Sequence, residues 1–272
     1  RFARRYGKEL YGKLSCTTMM HDSPLVVERG VSIQELSSLI LEMKPYHLTL
    51  GFIVTDRGEY LGMGSGHDLL REVTQMQIAA ARYANPLTQL PGNVPINEHI
   101  DGLLEKGVDF AACYFDIDHF KPYNDVYGFR KGDEIIKLVS KLLQESANPD
   151  TDFVGHIGGD DFLVLFCSSD WEDRCRSLLK KFFIASLGHY DTRDIERGWI
   201  EAEDRQGNLT QHPLISLSIG AVQVDSHVFA SHNEVAAAAT VAKKEAKKTA
   251  GNSLFIERRA KKESSSPLLQ TL

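Results

Sequence analysis

The stretch FVGHIGGDDFLVLFC, residues 153–167, decides the fold. Apolar residues on both sides of a Gly-Gly-Asp-Asp segment predict two strands, Phe153–Ile157 and Phe162–Cys167, joined by a tight turn. Gly and Asp favour turns in any protein, so the simplest interpretation of residues 158–161 is a hairpin turn without further function. A functional interpretation depends on what the neighbouring strands carry.

A second apolar strand, predicted at Phe110–Ile117, carries Asp116 and Asp118 at its C-terminal end. Strand ends are where α/β folds place their chemistry, and the alternation of a strand puts these two carboxylates on one face. If this strand pairs with the hairpin, Asp116 and Asp160 converge. Two converging carboxylates form a hard oxygen site that suits Mg²⁺ and a nucleoside triphosphate.

The rest of the pattern predicts two domains and a tail, at residues 1–84, 85–258 and 259–272. The first domain shows a β-α-β-β-α pattern, which comprises a strand at 25–27, a helix at 32–41, strands at 51–55 and 60–63, and a helix at about 65–83. Asn85-Pro86 stops the last of these helices. The second domain adds helices at 133–143, about 171–187 and about 233–248, a hairpin through 205–208, and strands at 214–222 and 254–256.

Composition excludes several classes of protein. The net charge of −6 argues against nucleic-acid binding by bulk phosphate attraction. Apolar runs such as Phe162–Cys167 are far shorter than the roughly 20 residues that cross a bilayer, and no signal peptide is recognised. The four cysteines form no CxxC pair, which favours reduced thiols and a cytoplasmic location.

Three ordered motifs resemble those of the GGDEF family of diguanylate cyclases. They are Asn85–Pro91, Phe115–Gly128 continued by Gly132-Asp133, and Gly158–Phe162. The resemblance implies an α/β (α+β) fold similar to nucleotidyl cyclases and the polymerase palm. It also implies a reaction that joins two GTP molecules into cyclic di-GMP.

The resemblance assigns a role to each acidic residue of the motifs. Asp116, the carbonyl of Ile117 and Asp160 would hold Mg²⁺ or Mn²⁺. Asp161 stands at the fourth signature position, usually Glu, and would assist proton removal from the attacking 3′-hydroxyl, so that Asp160 and Asp161 form the catalytic pair.

The same comparison assigns four residues to GTP. Lys121 and Lys247 would contact phosphate, while Asn124 and Asp133 would recognise the guanine edge. Asn124 offers a donor and an acceptor, and Asp133 accepts from N–H groups, which suits guanine. Alternatives remain open, because Asp133 also fits a helix N-terminal charge and Lys121 also fits a solvated loop residue.

Several departures from the family pattern predict weak activity. Asp161 is one methylene shorter than Glu, and His156 and Gly251 stand where the family usually has arginines that would engage phosphate. The family's product-inhibition motif would need Arg at position 149, where this chain has Pro, although Asp152 remains. Feedback binding at that position is therefore not expected.

The first domain resembles a CBS repeat over about residues 20–75. Ser65 and Asp68 match a spacing with which CBS repeats contact the ribose of adenine nucleotides, although the same spacing is also a plain helix N-cap. A single repeat leaves one face uncovered, so we expect a homodimer through residues 1–85. The combination also resembles proteins with an EAL phosphodiesterase domain upstream, which would precede Arg1.

Three functions follow from these observations. The leading one is a diguanylate cyclase of reduced activity, in which two subunits each present one GTP. The alternative is a catalytically weak GTP-binding domain that regulates a cyclic di-GMP phosphodiesterase domain or partner. A dimerisation scaffold, the third, predicts no nucleotide affinity.

Overall fold

The computed structural model describes residues 6–15, 17, 20, 23–42, 50–203 and 208–257. The chain divides into two compact units, Arg1–Arg82 and Tyr83–Leu272. The predicted tail at 259–272 lies outside the described residues, as do residues 205–207 of the predicted hairpin turn.

The first unit has the β-α-β-β-α order that the sequence predicts, with one short helix before it. Its elements are α1 (Gly7–Tyr11), β1 (Leu25–Glu28), α2 (Ile33–Glu42), β2 (Phe52–Asp56), β3 (Glu59–Gly64) and α3 (Gly66–Tyr83). Strand β1 runs parallel to β2, and β2 runs antiparallel to β3. The Ser32 hydroxyl accepts a hydrogen bond from the Glu35 amide at 3.1 Å and so begins α2 as an N-cap.

The second unit is a sheet with helices on both faces. Its helices are α4 (Asn93–Glu105), α5 (Phe120–Tyr127), α6 (Phe129–Ser146), α7 (Trp171–Leu187), α8 (Thr192–Arg197) and α9 (His232–Ala246). Its strands are β4 (Phe110–Asp118), β5 (Phe153–Gly158), β6 (Asp161–Phe166), β7 (Trp199–Glu203), β8 (Leu209–Pro213), β9 (Ser216–Val224) and β10 (Ser253–Glu257).

The five-stranded sheet has the order β10-β9-β4-β6-β5, and only the β10–β9 pair is parallel. Alternate residues of β4 enter two cores: Cys113 and Phe115 pack with α6 and α7, and Phe110 and Ala112 pack with α4 and α9. Because β4 is buried on both faces, its sequence is a continuous apolar run. The mixed α/β fold that the sequence predicts is confirmed.

The register of β4 determines which residues meet at the acidic edge. Asp116 of β4 lies opposite Asp161 of β6 and opposite Ser218 of β9. The turn between β5 and β6 needs positive φ angles, 151° at Gly158 and 57° at Gly159, which glycine adopts without steric cost. The hairpin therefore carries its two aspartates back to the C-terminal end of β4.

Helices α5 and α8 are not predicted from the sequence, and α6 begins earlier than predicted. Helix α5 lies inside the motif after β4, where no helix is predicted. Its Pro122 is tolerated because it occupies the first turn, in which amides have no intrahelical partner. Helix α6 begins at Phe129 rather than Asp133, so Asp133 lies beyond the first turn and the interpretation as a helix N-terminal charge is wrong.

Candidate functional site

Three carboxylates, those of Asp116, Asp160 and Asp161, gather at the edge where β4 and β6 meet. Asp116 is buried, with 5% of its surface exposed, and the other two are half-buried. Burial raises the pKa of Asp160, and the charge of nearby Asp116 raises it further. The strand pattern predicts the convergence of Asp116 and Asp160, and the register places Asp116 opposite Asp161, the residue next to Asp160.

A cavity of about 360 Å³ opens beside these groups. Its lining comprises Asp116, Ile117, Asp118, His119, Phe120, Lys121, Pro122, Asp160, Ser216, Lys247, Thr249, Ala250 and Gly251. The cavity thus brings both predicted carboxylates together with Ile117 and the two lysines that the motifs single out.

Two lysines from α9 and its C-cap neutralise the carboxylates. Lys247 Nζ lies 2.5 Å from Asp116 Oδ1, while Lys243 Nζ lies 3.0 Å from Asp116 Oδ2 and 2.6 Å from Asp161 Oδ1. Burial by itself would raise the pKa of Asp116, but the two ammonium groups hold that pKa below its ordinary value. Burial raises the pKa of Asp161 despite its bond to Lys243.

Asp118, unlike Asp116 and Asp161, is bound by two serine hydroxyls of β9. The hydroxyls of Ser216 and Ser218 both donate to Asp118 Oδ2, at 2.9 Å and 2.6 Å. The carboxylate therefore fixes the end of β4 to β9. It lies at the cavity edge without an ion pair to either lysine.

The donor set fits a divalent cation supplied together with a ligand. Carboxylates of Asp116 and Asp160 and the carbonyl of Ile117 are hard oxygen donors, the kind that Mg²⁺ and Mn²⁺ prefer. Within the described ranges, no group of three or more His, Cys, Asp or Glu side chains could hold a metal. Mg²⁺ is usually bound through one or two carboxylates and completes its coordination with water and phosphate oxygens, and Asp116 and Asp160 could supply those carboxylates.

Asn124 and Gly132 meet where α5 and α6 approach each other. Asn124 Oδ1 is buried and accepts no hydrogen bond from the residues that the structure describes. A Cβ atom at position 132 would fall 1.8 Å from this oxygen, so any side chain there would displace the Asn124 amide. Asp133 follows as an exposed residue.

Lys121 lies at the boundary of two cavities. Besides the acidic cavity, it lines a neighbouring one of about 950 Å³ formed between α5 and the β7–β8 hairpin. Its side chain is exposed. It is thus positioned to meet an anionic ligand that extends from the acidic edge.

His156 supports the turn rather than facing the cavity. It is 2% exposed and stacks on Phe162, with ring centroids 4.2 Å apart. Its Nε2 must donate to the Gly159 carbonyl at 3.0 Å, because a carbonyl only accepts, so Nδ1 accepts from the Thr88 hydroxyl at 2.9 Å. Its own amide donates to the Pro91 carbonyl at 2.8 Å, and His156 thereby joins the 85–91 motif to the signature turn.

We expect stability to fall at acidic pH because of His156. Burial lowers the pKa of His156 below its ordinary value of 6.5, so the unfolded chain binds the proton more readily. This contribution to stability is complete above pH 6.5 and is lost as the pH falls toward the folded-state pKa. Urea unfolding from pH 7.5 to 5.5 should show a smaller loss in His156→Gln than in wild type. Parallel losses in the two proteins would contradict the assignment.

Asp152, which matches the acidic position of the product-inhibition motif, makes structural contacts within the fold. Its buried carboxylate accepts from the amides of Asn148 at 2.8 Å and Cys167 at 3.0 Å, and it pairs with Arg174 at 3.4 Å. These contacts hold the loop before β5 against α7. They give Asp152 a structural role, and the expectation that feedback binding is missing here stays a prediction.

In the first unit, Ser65 and Asp68 form a helix N-cap. The Asp68 amide donates to Ser65 Oγ at 3.1 Å, and the Ser65 hydroxyl donates to Asp68 Oδ2 at 2.6 Å. This is the structural alternative that the sequence left open. A ligand role for the pair stays a prediction.

Known proteins resemble the second unit. The family described as "Diguanylate cyclase, GGDEF domain" matches residues 83–253. The probable diguanylate cyclase DgcT of Escherichia coli K12 is 30% identical over 147 residues, which is 54% of this chain and 29% of that protein. Cyclic di-GMP phosphodiesterase NbdA of Pseudomonas aeruginosa is 37% identical over 89 residues, 31% of this chain and 11% of that protein.

A solved structure shares the fold. The coiled coil and GGDEF domain of DgcB from Caulobacter crescentus, in complex with c-di-GMP, superposes with a TM-score of 0.51 at 22% identity. The match covers 70% of this chain and 93% of that one. The chain spans less than a third of the length of either curated relative, and no described helix is long and apolar enough to cross a membrane.

The family match extends from the last residue of α3 to the first residue of β10, and includes the acidic cavity with its two lysines. The chain therefore belongs to the GGDEF domain family of diguanylate cyclases.

Proposed function

We propose that the second unit binds GTP with a divalent cation, Mg²⁺ or Mn²⁺, and slowly joins two GTP molecules into cyclic di-GMP. The observation that carries the proposal is the convergence of Asp116, Asp160 and Lys247 on one cavity within a GGDEF domain. Incubation with GTP and Mg²⁺, followed by chromatographic detection of cyclic di-GMP, tests it directly. GTP left unchanged and unbound would contradict it.

The residues that would hold the cation are Asp116, Asp160 and the carbonyl of Ile117. When bound, the cation would neutralise triphosphate charge and polarise the phosphoryl group under attack. Lys247, on an exposed helix end, can exchange its ion pair with Asp116 for a phosphate oxygen, and Lys121 approaches phosphate from α5. Positive charge around developing negative charge is the main source of catalysis in such reactions.

Asn124 and Asp133 would recognise guanine. The unpartnered Oδ1 of Asn124 is an acceptor without a donor inside the described part of the chain, as expected of a group that meets its partner in a ligand. The exposed carboxylate of Asp133 can accept from the N–H groups of the guanine edge. Both residues lie at the α5–α6 junction beside Gly132.

Replacing Gly132 by Ala should weaken GTP binding about tenfold, because the added methyl displaces Asn124 and costs the equivalent of one good polar contact. Calorimetry with GTP and with ATP measures the effect, and the preference for GTP should fall. Gly102→Ala is the matched control, since that helical glycine faces open space. Equal GTP affinities in the two variants would remove Asn124 from the site.

Asp161→Glu should raise the rate of cyclic di-GMP formation about tenfold. The added methylene extends the carboxylate by roughly 1.5 Å, and a misplacement of about 1 Å can cost about a hundredfold in rate. Product formation at saturating GTP measures the effect, with Asp173→Glu, an exposed position on α7, as the control. An unchanged rate would show that the length of the side chain at position 161 does not limit the reaction.

A second function, regulation of a cyclic di-GMP phosphodiesterase domain or partner by GTP binding, is favoured by one contact. The Asp161 carboxylate, which occupies the proposed proton-accepting position, is bonded to Lys243 at 2.6 Å. The ammonium occupies this oxygen of the carboxylate, so the bond to Lys243 has to break before the oxygen can accept a proton, even though burial raises the pKa of Asp161. GTP binding without cyclic di-GMP formation would favour this regulatory function over the cyclase.

For the first unit we propose a CBS-like module that forms a homodimer and binds an adenine nucleotide near Ser65 and Asp68. Its element order and sheet support the resemblance. Exposed apolar residues support the dimer, namely Val26, Tyr60, Leu61, Met63 and Leu70. An upstream EAL domain and a cytoplasmic location remain part of the same proposal.

A further inference from the structure

Lys243 stands between Asp116 of β4 and Asp161 of the signature turn, and the sequence motifs assign it no role. Its Nζ lies 3.0 Å from Asp116 Oδ2 and 2.6 Å from Asp161 Oδ1. The two carboxylates belong to neighbouring strands and face each other in register. One ammonium group therefore bridges β4 and β6 at the edge that carries the chemistry.

The backbone of Lys243 is fixed by close packing on β9. A Cβ atom at Gly220 would lie 2.4 Å from the Lys243 amide nitrogen and 2.7 Å from its Cα, so α9 rests directly on the strand at this glycine. Gly220 pairs with Tyr114 of β4, and the charge of Lys243 acts on the Tyr114 hydroxyl. The side chain therefore starts from a rigid base two residues along β4 from Asp116.

Lys247 differs from Lys243 in how readily it can leave. Both lysines lie on one face of α9, four residues apart. Among the residues that the structure describes, the Lys247 side chain is 43% exposed and pairs with Asp116 alone, whereas that of Lys243 is 24% exposed and pairs with two carboxylates. A ligand phosphate can draw Lys247 away, but release of Lys243 would break two ion pairs at once.

We propose that Lys243 is a resident cation that takes the place of a second divalent metal ion, so that the site holds one metal with GTP. A Mg²⁺ ion that bridged Asp116 and Asp161 would need an oxygen of each carboxylate at about 2.0–2.1 Å. Two catalytic metals stand about 3.5–4 Å apart and share a carboxylate. Asp116 Oδ2 and Asp161 Oδ1, the oxygens for such a bridge, are bonded to Lys243.

That the single metal ion binds together with GTP rests on the proposed function, but the test of Lys243 itself needs no nucleotide. Mn²⁺ is titrated into the 272-residue chain, and the free ion is followed by electron paramagnetic resonance. Wild type should bind Mn²⁺ weakly. Lys243→Met, which keeps the length of the stem and removes the charge, should bind at least about tenfold more tightly.

Two further variants test whether the Asp161 carboxylate binds the added Mn²⁺ ion once Lys243 is replaced. Lys244→Met makes the same change of net charge at an exposed neighbouring position and should leave Mn²⁺ affinity at the wild-type value. Adding Asp161→Asn to Lys243→Met should cancel the gain, because the bridging carboxylate is then lost. If Lys243→Met does not fold, Lys243→Gln serves in its place with the same expected gain.

Equal Mn²⁺ affinity in Lys243→Met and Lys244→Met would overturn the inference, as would a gain that survives Asp161→Asn. Calorimetry of wild type with GTP and Mg²⁺ is run in parallel. If GTP fails to bind while Lys243→Met still gains Mn²⁺ affinity, the proposed function is wrong, but the inference that Lys243 replaces a second metal ion is supported. If GTP binds and Lys243→Met shows no gain in Mn²⁺ affinity, the inference about Lys243 is wrong and the proposed function is unaffected.

Discussion

Replacing Asp160 by Asn should remove most of the metal-dependent affinity for GTP, by about a hundredfold. Asp160 and Asp116 are the side chains that would hold the cation, and a bound metal contributes several kcal/mol of charge stabilisation. Asn keeps the size of the side chain and removes the charge. Calorimetry with GTP, with Mg²⁺ and with EDTA, measures the loss, which should be confined to the Mg²⁺ series.

The same substitution should have the opposite effect on folding. Burial and the charge of Asp116 raise the pKa of Asp160, so its ionised form is destabilising at neutral pH. Asp160→Asn should therefore unfold at a slightly higher denaturant concentration than wild type while binding GTP more weakly. Asp173→Asn, at an exposed site, is the control for both measurements. Unchanged Mg²⁺-dependent binding in Asp160→Asn would remove the metal from this site.

Replacing Gly220 by Ala should lower the free energy of unfolding by about 3 kcal/mol, near the upper end for overpacked cores. The added methyl would meet backbone atoms of Lys243 and Ala242 at 2.4–2.8 Å. The backbone of a packed helix cannot change conformation as a side chain can. Helix α9 would therefore have to shift away from β9 to admit the methyl group. Guanidinium unfolding measures the stability.

Gly155→Ala provides the comparison for this effect. There the added methyl meets the end of the Ile96 side chain at 2.6 Å, with backbone no nearer than the Pro91 carbonyl at 3.3 Å. Ile96 can shift, so the loss should be smaller than at Gly220. Equal losses at the two positions would show that the approach of α9 to β9 is not the constraint.

Local pattern predicted most of the sheet. Strand β4 is a long apolar run, and the turn chemistry of 158–161 joins β5 to β6. The sequence left open whether β4 pairs with this hairpin, and the structure shows that it pairs with β6. Asp118 shows the limit of this reasoning. Alternation places it on the face of Asp116, but Ser216 and Ser218, which bind it, lie about 100 residues away in the chain.

The site residues that sequence reasoning missed depend on tertiary approach. Lys243 is one helical turn before Lys247, and that spacing was the available signal that both face the acids. His156 is interpreted from sequence only as a missing arginine, whereas the fold buries it between Thr88 and the signature turn. No local pattern specifies either contact, because the partners come from separate elements.

The hydrogen bonds around His156 give the signature turn a mechanical connection to the chain that enters the domain. The Gly92 amide bonds to the Tyr83 carbonyl at 2.8 Å, at the end of α3. Pro91 in turn bonds to His156, which holds Gly159. Within the second unit, a displacement of the backbone at Tyr83 would therefore be transmitted to the turn that carries Asp160 through three hydrogen bonds and the short segment between Pro91 and Gly92.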